Sequence, residues 1–423
     1  MAQIMAEKFL IKGQNQLSGE VDIFGYKNSA GAILSAALLT EEPCVIDNLS
    51  LCSDVLDQID IIGQMGAEVQ WLDKRKIQVN AKNIDPEKIP CALFEKMRVS
   101  ALLIGPLAAR FKKFKVPHPG GDKIGLRSIG IHLEALKQMG IGITEENGFY
   151  HFDVPGKIEG TRIILREFSV TATEVVMMAA ATAKGETVIE IAAAEPQVQD
   201  LALMLQNMGV VIEGAGTHTI KIKGVQKLSG TNHSICPDLL EAGTFMIALA
   251  LTGGKGKIKN TNPSHLIYFF ERMRDIGIDF RVNDREIIVN PSGNFKAAKI
   301  QVLPYPGFPT DLQPQTAVLL TQAKGKSLIH EPLYENRFQH LQELRKMGAD
   351  IEITDPHRAL IFGKTDLIGT KVDASDIRAG AALILAGLAA KGETIISNIS
   401  QIERGYEDFG GKLRGLGADI KRI

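Results

Sequence analysis

Six basic side chains interrupt apolar or glycine-rich stretches: Lys27 in GYKN, Arg98 in KMRVS, Arg127 ending PGGDKIGLR, Arg337 in YENRF, Arg378 in DIRAG and Arg404 in ERGYE. Arginine keeps its charge at any working pH and grips carboxylate or phosphate through two parallel hydrogen bonds. Brought together, such cations suit a small substrate carrying both groups. Taken singly, each has a plainer reading as a solvated or ion-paired residue; Arg378 could cap the preceding helix or pair with Asp376. Asp311 lies in YPGFPTDLQPQ, where three prolines and a glycine stiffen the backbone. A carboxylate presented from rigid chain is suited to general-base work. Asp238 and Glu241 in PDLLEAGTF read as the two halves of a capping box for a helix starting near Leu239. Ser169 in FSVTATE reads as a helix cap.

The stretch from Pro119 to Arg127 carries Gly120, Gly121 and Gly125 together with Asp122, Lys123 and Arg127. Its glycines predict a mobile loop with backbone conformations closed to other residues. A flexible, charged loop reads either as a lid over an anionic ligand or as a solvated turn.

Other chemistries lack their signatures. No GxxxxGK[ST], HExxH or GxSxG occurs, and the nine histidines show no ligand spacing. The formal net charge of -1 argues against a nucleic-acid-binding surface. Four cysteines (Cys44, Cys52, Cys91, Cys236) have no CxxC spacing, which fits a reducing compartment and packing roles. The N-terminus lacks the apolar core of a signal peptide, and the most apolar run, 379–390, is too short to span a bilayer. A cytoplasmic protein without membrane insertion is expected.

The elements that must position these residues recur. A helical pattern, an apolar residue, a glycine and a short apolar strand appear at Gly66, Gly140, Gly209, Gly277, Gly348 and Gly417, about 70 residues apart. Each glycine reads as the left-handed end of a helix. An alternating strand is expected to follow, as over 213–225 and 350–354. Between these phrases lie nearly all-apolar helices (101–109, 178–183, 245–251, 379–390) that predict burial on every side. At 423 residues two domains are the default, with a crossing near residue 230 and a ligand cleft between similar lobes.

The ordered phrases FGYKNSAGAILSAALLTEEP, MRVSALLIGPLAARF, PGGDKIGLR, SVTATE, PDLLEAGTF, YPGFPTDLQPQ, YENRFQHLQELRKMGA, DIRAGAALILAGLAAKGET and ERGYEDFGGKLRGLGADI resemble the enolpyruvyl transferases through essentially the whole chain. The resemblance implies an α/β fold of two inside-out α/β barrels, built from six βαβαββ repeats, three per domain. Residues 22–236 would form the first domain, carrying the lid loop 117–128, and residues 1–21 with 237–423 the second. The implied reaction transfers the enolpyruvyl group of phosphoenolpyruvate to the 3-hydroxyl of UDP-N-acetylglucosamine. It releases phosphate by addition and elimination through a tetrahedral phospholactoyl intermediate, without metal or redox cofactor, in peptidoglycan synthesis. Lys27, Arg127 and Arg404 would bind phosphoenolpyruvate, with Arg98, Arg337 and Arg378 completing the cationic surroundings. Asn28 and Asp311 would hold the sugar, Leu333 would be a further substrate-binding residue, and Asp311 would take the proton of the attacking hydroxyl. Ser169, Val170 and Thr171 would contact the nucleotide diphosphate.

Asp122 stands where most members of the family have a cysteine that acts as general acid. A carboxylic acid there predicts that fosfomycin, an epoxide that alkylates the cysteine, leaves this protein unmodified. Glu167 replaces a usual lysine, Ser128 a proline, Gly130 an aspartate and Leu239 an arginine. The first three fall near the expected nucleotide site, and Glu167 predicts weakened diphosphate binding unless Lys123 or Arg166 compensates. Two alternatives remain open: a sister enzyme with a shikimate 3-phosphate type of acceptor, and a non-catalytic protein that binds the nucleotide sugar.

Overall fold

The computed structural model describes residues 7–122, 124–125 and 128–423. Arg127 and Lys123 lie outside them. Two compact units divide the chain: unit 1 comprises Met1–Phe24, Lys123–Leu126 and Pro237–Ile423, and unit 2 comprises Gly25–Asp122 and Arg127–Cys236.

Unit 1 holds three four-stranded mixed sheets. The strand Phe9–Lys12 lies between Glu393–Ser397 and Asp419–Arg422, antiparallel to both. Ser18–Asp22 runs parallel to Lys255–Lys259. In the third sheet Gly325–His330 lies between Lys299–Gln301, to which it is parallel, and Arg358–Gly363, to which it is antiparallel. The helices Leu239–Leu251, Gln313–Thr321 and Ile377–Ala389 pack on one another, and nearly every residue of the three is buried. Alanine, leucine and glycine dominate two of them, so they can be surrounded on all sides without stranding polar groups.

Unit 2 holds two four-stranded sheets and one three-stranded sheet. Its inner helices are Lys27–Ala36, Ile104–Arg110 and Val170–Ala180. The last two approach so closely that a Cβ on Gly105 would lie 2.8 Å from the Val175 carbonyl oxygen; only glycine fits there.

The six phrase glycines have φ between +82° and +105°, the left-handed conformation in which a side chain would clash. The segment 213–225, expected as one alternating strand, is instead a hairpin of Val211–Glu213 and Thr219–Lys223. Gly214 and Gly216 turn it at positive φ. Three of the buried helices also begin earlier than their apolar runs, whereas the run 101–109 becomes a 3-10 turn, Val99–Leu103, followed by the helix Ile104–Arg110. Val170–Ala180 is capped by Ser169, whose hydroxyl accepts from Ala172 N. Leu239–Leu251 and Ile377–Ala389 are capped by Asp238 and Asp376, each accepting from two backbone amides. The caps satisfy end groups that burial would otherwise strand, so polar first turns can be interior. Of the cysteines, Cys44 and Cys52 are buried and Cys236 is half-buried, but Cys91 is exposed.

Candidate active site

In unit 2 the candidate residues gather on helix starts. Lys27 is the first residue of its helix, where the partial positive charge of the helix end disfavours a cation. Its compensation is a buried ion pair: Lys27 Nζ lies 2.8 Å from Asp54 Oδ2, and Asp54 belongs to the first turn of the helix Ser53–Gln64. The lysine thus stands against a local electrostatic rule and is offset by a buried acid. Asn28 Nδ2 donates to the Tyr26 hydroxyl at 3.0 Å. Ser29, next along, donates to Asp200, which also accepts from the Cys236 amide and bonds the His233 ring. This buried knot ties the start of the helix to the strand Asn232–Ser234 and to the last residue of the unit.

Arg98 Nη2 donates to the Ser128 carbonyl at 2.9 Å. Ahead of Asp122, a Cβ on Gly120 would lie 1.8 Å from the Glu95 carbonyl oxygen, and one on Gly121 (φ +123°) would lie 2.8 Å from Arg98 Cβ. These two glycines are therefore explained by the close approach of backbone to 95–98, a reason that the expectation of a mobile loop did not contain. Ser169 caps its helix, and the Thr171 hydroxyl is bonded to His132 Nε2 at 2.7 Å. Arg166, a proposed substitute for the missing lysine, pairs with Glu134 at 3.0 Å. One turn beyond Thr171, burial and the neighbouring Glu195 push Glu174 well above the usual carboxylate range.

In unit 1 the centre is Asp311, in a tight turn over Thr310–Leu312 that follows Pro309. Arg337 Nη2 donates to Asp311 Oδ1 at 2.8 Å, and Arg378 Nε donates to Oδ2 at 3.1 Å. Both arginines are buried. Burial works against the Arg337 charge, but Asp311, Asp376 and Glu331 outweigh it and raise the guanidinium pKa. Arg378 does not pair through its side chain with Asp376; that acid caps the backbone amides of Arg378 and Ala379. The Arg378 guanidinium instead lies over the Tyr406 ring, 5.1 Å from its centroid. The Tyr406 hydroxyl meets Thr244 and Gln315 at 3.0 Å each, and burial pushes its pKa up.

Glu241 does not close a capping box. The amide of Asp238 donates to the Phe24 carbonyl, and Glu241 pairs with Lys412 at 2.6 Å; burial nonetheless pushes its pKa to about 7. Arg404 Nη1 donates to Gln401. Leu333 is exposed, and its amide donates to Glu331 Oε1 at 3.1 Å. The Asn336 amide donates to the Ile124 carbonyl at 3.1 Å.

Sequence reasoning missed Asp54, Asp200, His132 and Glu331. The first three sit in helices that the repeat predicts but whose polar residues nothing singled out, and all four act on partners far away in the chain. Tyr406 and Gln315 lay inside quoted phrases, but nothing marked them as the support of Arg378. Among the described residues no group of three or more His, Cys, Asp or Glu could hold a metal. No helix among them is long and apolar enough to cross a membrane.

What the site can do is limited by type and depth. Unit 1 presents a partly exposed carboxylate fixed by two guanidiniums, able to orient and accept a proton. Unit 2 presents an ammonium fixed by a carboxylate, able to meet an anion. A family model described as EPSP synthase (3-phosphoshikimate 1-carboxyvinyltransferase) matches residues 11–413. The chain belongs to this family of carboxyvinyl, or enolpyruvyl, transferases. Two full-length relatives are named UDP-N-acetylglucosamine 1-carboxyvinyltransferase. The one from Koribacter versatilis is 44% identical over 99% of this chain and 96% of the relative, and the one from Magnetococcus marinus is 44% identical over 99% of each. Among solved structures, the enolpyruvyl transferase NikO from Streptomyces tendae superposes with a TM-score of 0.90 at 25% identity over 99% of each chain. EPSP synthase from Acinetobacter baumannii shares the fold, with a TM-score of 0.75 at 18% identity, over 99% of this chain and 100% of its own.

Proposed function

We propose that this protein transfers the enolpyruvyl group of phosphoenolpyruvate to the 3-hydroxyl of UDP-N-acetylglucosamine and releases phosphate, as a cytoplasmic enzyme of peptidoglycan synthesis. The observation that carries the reading is full-length identity of 44% to relatives named for that reaction. Asp311 takes the hydroxyl proton, and the oxygen attacks C2 of phosphoenolpyruvate. Asp122 adds a proton to the methylene carbon, giving the phospholactoyl intermediate. Loss of a proton from that carbon with departure of phosphate restores the double bond. Lys27, Arg127 and Arg404 hold phosphate and carboxylate. Asn28 and Leu333 hold the sugar, and Ser169, Val170 and Thr171 the diphosphate. Arg98 adds charge near the loop, while Arg337 and Arg378 serve mainly to hold Asp311. The finer architecture, two inside-out barrels of three βαβαββ units each, belongs to the same proposal, as do domain limits of 22–236 and 1–21 with 237–423.

The test is phosphate release from phosphoenolpyruvate with each of two acceptors. Release with UDP-N-acetylglucosamine and none with shikimate 3-phosphate is expected. The reverse pattern makes it the sister enzyme, and binding of the nucleotide sugar without release makes it a non-catalytic relative. With Asp122 in place of cysteine, intact-mass analysis after fosfomycin treatment should find no adduct. A mass increase at Asp122 with loss of activity would overturn the role given to that position.

A further inference from the structure

Glu331 is an acid that the reaction scheme does not use, and its surroundings are unusual. It is fully buried, and it follows directly on the strand Gly325–His330. Its backbone is fixed on both sides by His357: Glu331 N donates to the His357 carbonyl at 2.7 Å, and the Glu331 carbonyl bonds His357 Nδ1 at 2.8 Å. The carboxylate is thereby aimed at two loops. Oε2 accepts from the Thr310 hydroxyl at 2.7 Å, and Oε1 accepts from the Leu333 amide at 3.1 Å. Thr310 is the residue immediately before Asp311. Leu333 begins the segment that delivers Arg337 to Asp311 Oδ1.

Burying a carboxylate is costly unless its hydrogen bonds are made. Here both oxygens are engaged, each by a segment that carries a working part of the site. Burial pushes the Glu331 pKa up, while Thr310, Arg337 and the Leu333 amide pull it back toward the charged form. A side chain needed only to fill space would be apolar at this depth.

Resting on the reading that Asp311 accepts the sugar proton, we propose that Glu331 is a positioning residue, which sets the direction of the Asp311 carboxylate through Thr310 and the Leu333 segment through its amide. Misplacement of a reacting group by about 1 Å can cost on the order of a hundredfold in rate. Two contacts on one carboxylate can therefore control turnover without touching substrate.

Steady-state kinetics with phosphoenolpyruvate and UDP-N-acetylglucosamine on four variants test this, with thermal midpoints measured alongside. Thr310→Val and Glu331→Ala should each lower kcat roughly tenfold or more, the scale expected when a buried hydrogen bond is lost, with little change in KM for phosphoenolpyruvate. Glu331→Gln should recover most of the rate, because its carbonyl can accept from Leu333 while its amide donates to the Thr310 oxygen. The Thr310→Val/Glu331→Ala double variant should be little worse than Glu331→Ala, since both break the same contact. A merely structural role predicts losses that multiply and follow the thermal midpoint. That pattern, or Thr310→Val turning over at the parent rate, overturns the inference. If Glu331→Ala does not fold, Thr310→Val and Glu331→Gln still decide it: a full-rate Thr310→Val, or a Glu331→Gln as slow as Thr310→Val, counts against it. A parent protein that releases no phosphate with either acceptor overturns the functional reading, and this inference with it. An active parent matched by its Thr310 variant overturns the inference alone.

Discussion

The two units solve the same electrostatic problem with opposite signs. In unit 2 the Lys27 side chain, 12% exposed, is backed by Asp54 at 3%. In unit 1 the Asp311 side chain, 26% exposed, is backed by Arg337 at 2% and Arg378 at 4%. In each case the shallower member is the group with a proposed task, and its deeper partner is spent on holding it. Burial makes the pairing strong and the geometry unique, because a deep charge cannot turn to water for an alternative partner. Depth therefore separates the working group from its support, which residue type alone does not.

Removing the working group of unit 1 tests this most severely. Asp311→Asn should slow phosphate release by about 10²–10⁴-fold, the usual contribution of a general base. A loss of less than tenfold would reassign the task to another side chain.

Next in size is the support in unit 2. Asp54→Ala leaves an ammonium with little access to water and should cost about 3 kcal/mol of stability, read as a lower denaturant midpoint. Lys27→Met/Asp54→Leu should regain much of that stability yet remain inactive. If the double variant turned over, Lys27 would be support as well, and the parallel between the units would fail.

Acid should separate the units. His340, buried in unit 1, donates from Nδ1 to the Arg337 carbonyl, and burial and the Arg337 charge push its pKa to about 3. The unfolded chain binds a proton near pH 6.5 while the folded chain does not. Stability from neutral His340 is therefore present above that pH and is lost as pH falls, by about 2 kcal/mol at pH 5. In unit 2 the buried His233 is bonded to Asp200, whose pKa is lowered: burial raises it, but His233, Ser29 and the Cys236 amide outweigh burial. That stability is present above the ordinary carboxylate range and persists to lower pH. Hydrogen-exchange protection in the helix Gln339–Lys346, referred to the intrinsic rate at each pH, should fall between pH 6.5 and 5, and His340→Asn should flatten that fall. Equal protection across that interval in the parent would remove the distinction.

The smallest effect concerns the nucleotide. Glu167 is exposed, and Arg166 already pairs with Glu134. Glu167→Lys should tighten UDP-N-acetylglucosamine binding only about two- to fivefold, as exposed charge pairs do. Unchanged titration calorimetry would show that residue 167 does not face the diphosphate.

Local features were legible in the sequence because their causes are local. Glycine at a left-handed helix end, Asp238 and Ser169 as caps, and a stiff backbone around Asp311 each follow from the conformational limits of a few neighbouring residues. The hairpin at 211–223 was missed because an alternating pattern with glycines fits one strand or two. Glu241 was misread because a capping box and a buried ion pair look alike until Lys412 arrives from elsewhere in the chain.

By itself, then, the sequence determined the repeated helices and their glycine C-terminal ends, the apolar runs that had to be buried, and the set of charged residues that could do chemistry. Only the tertiary structure decided which charges are supports and which are left to work. Arg337 and Arg378 meet Asp311 across 26 and 67 residues of chain, and Glu331 meets Thr310 across 21. Such partnerships depend on which elements pack together and how deeply, and no spacing along the chain encodes depth.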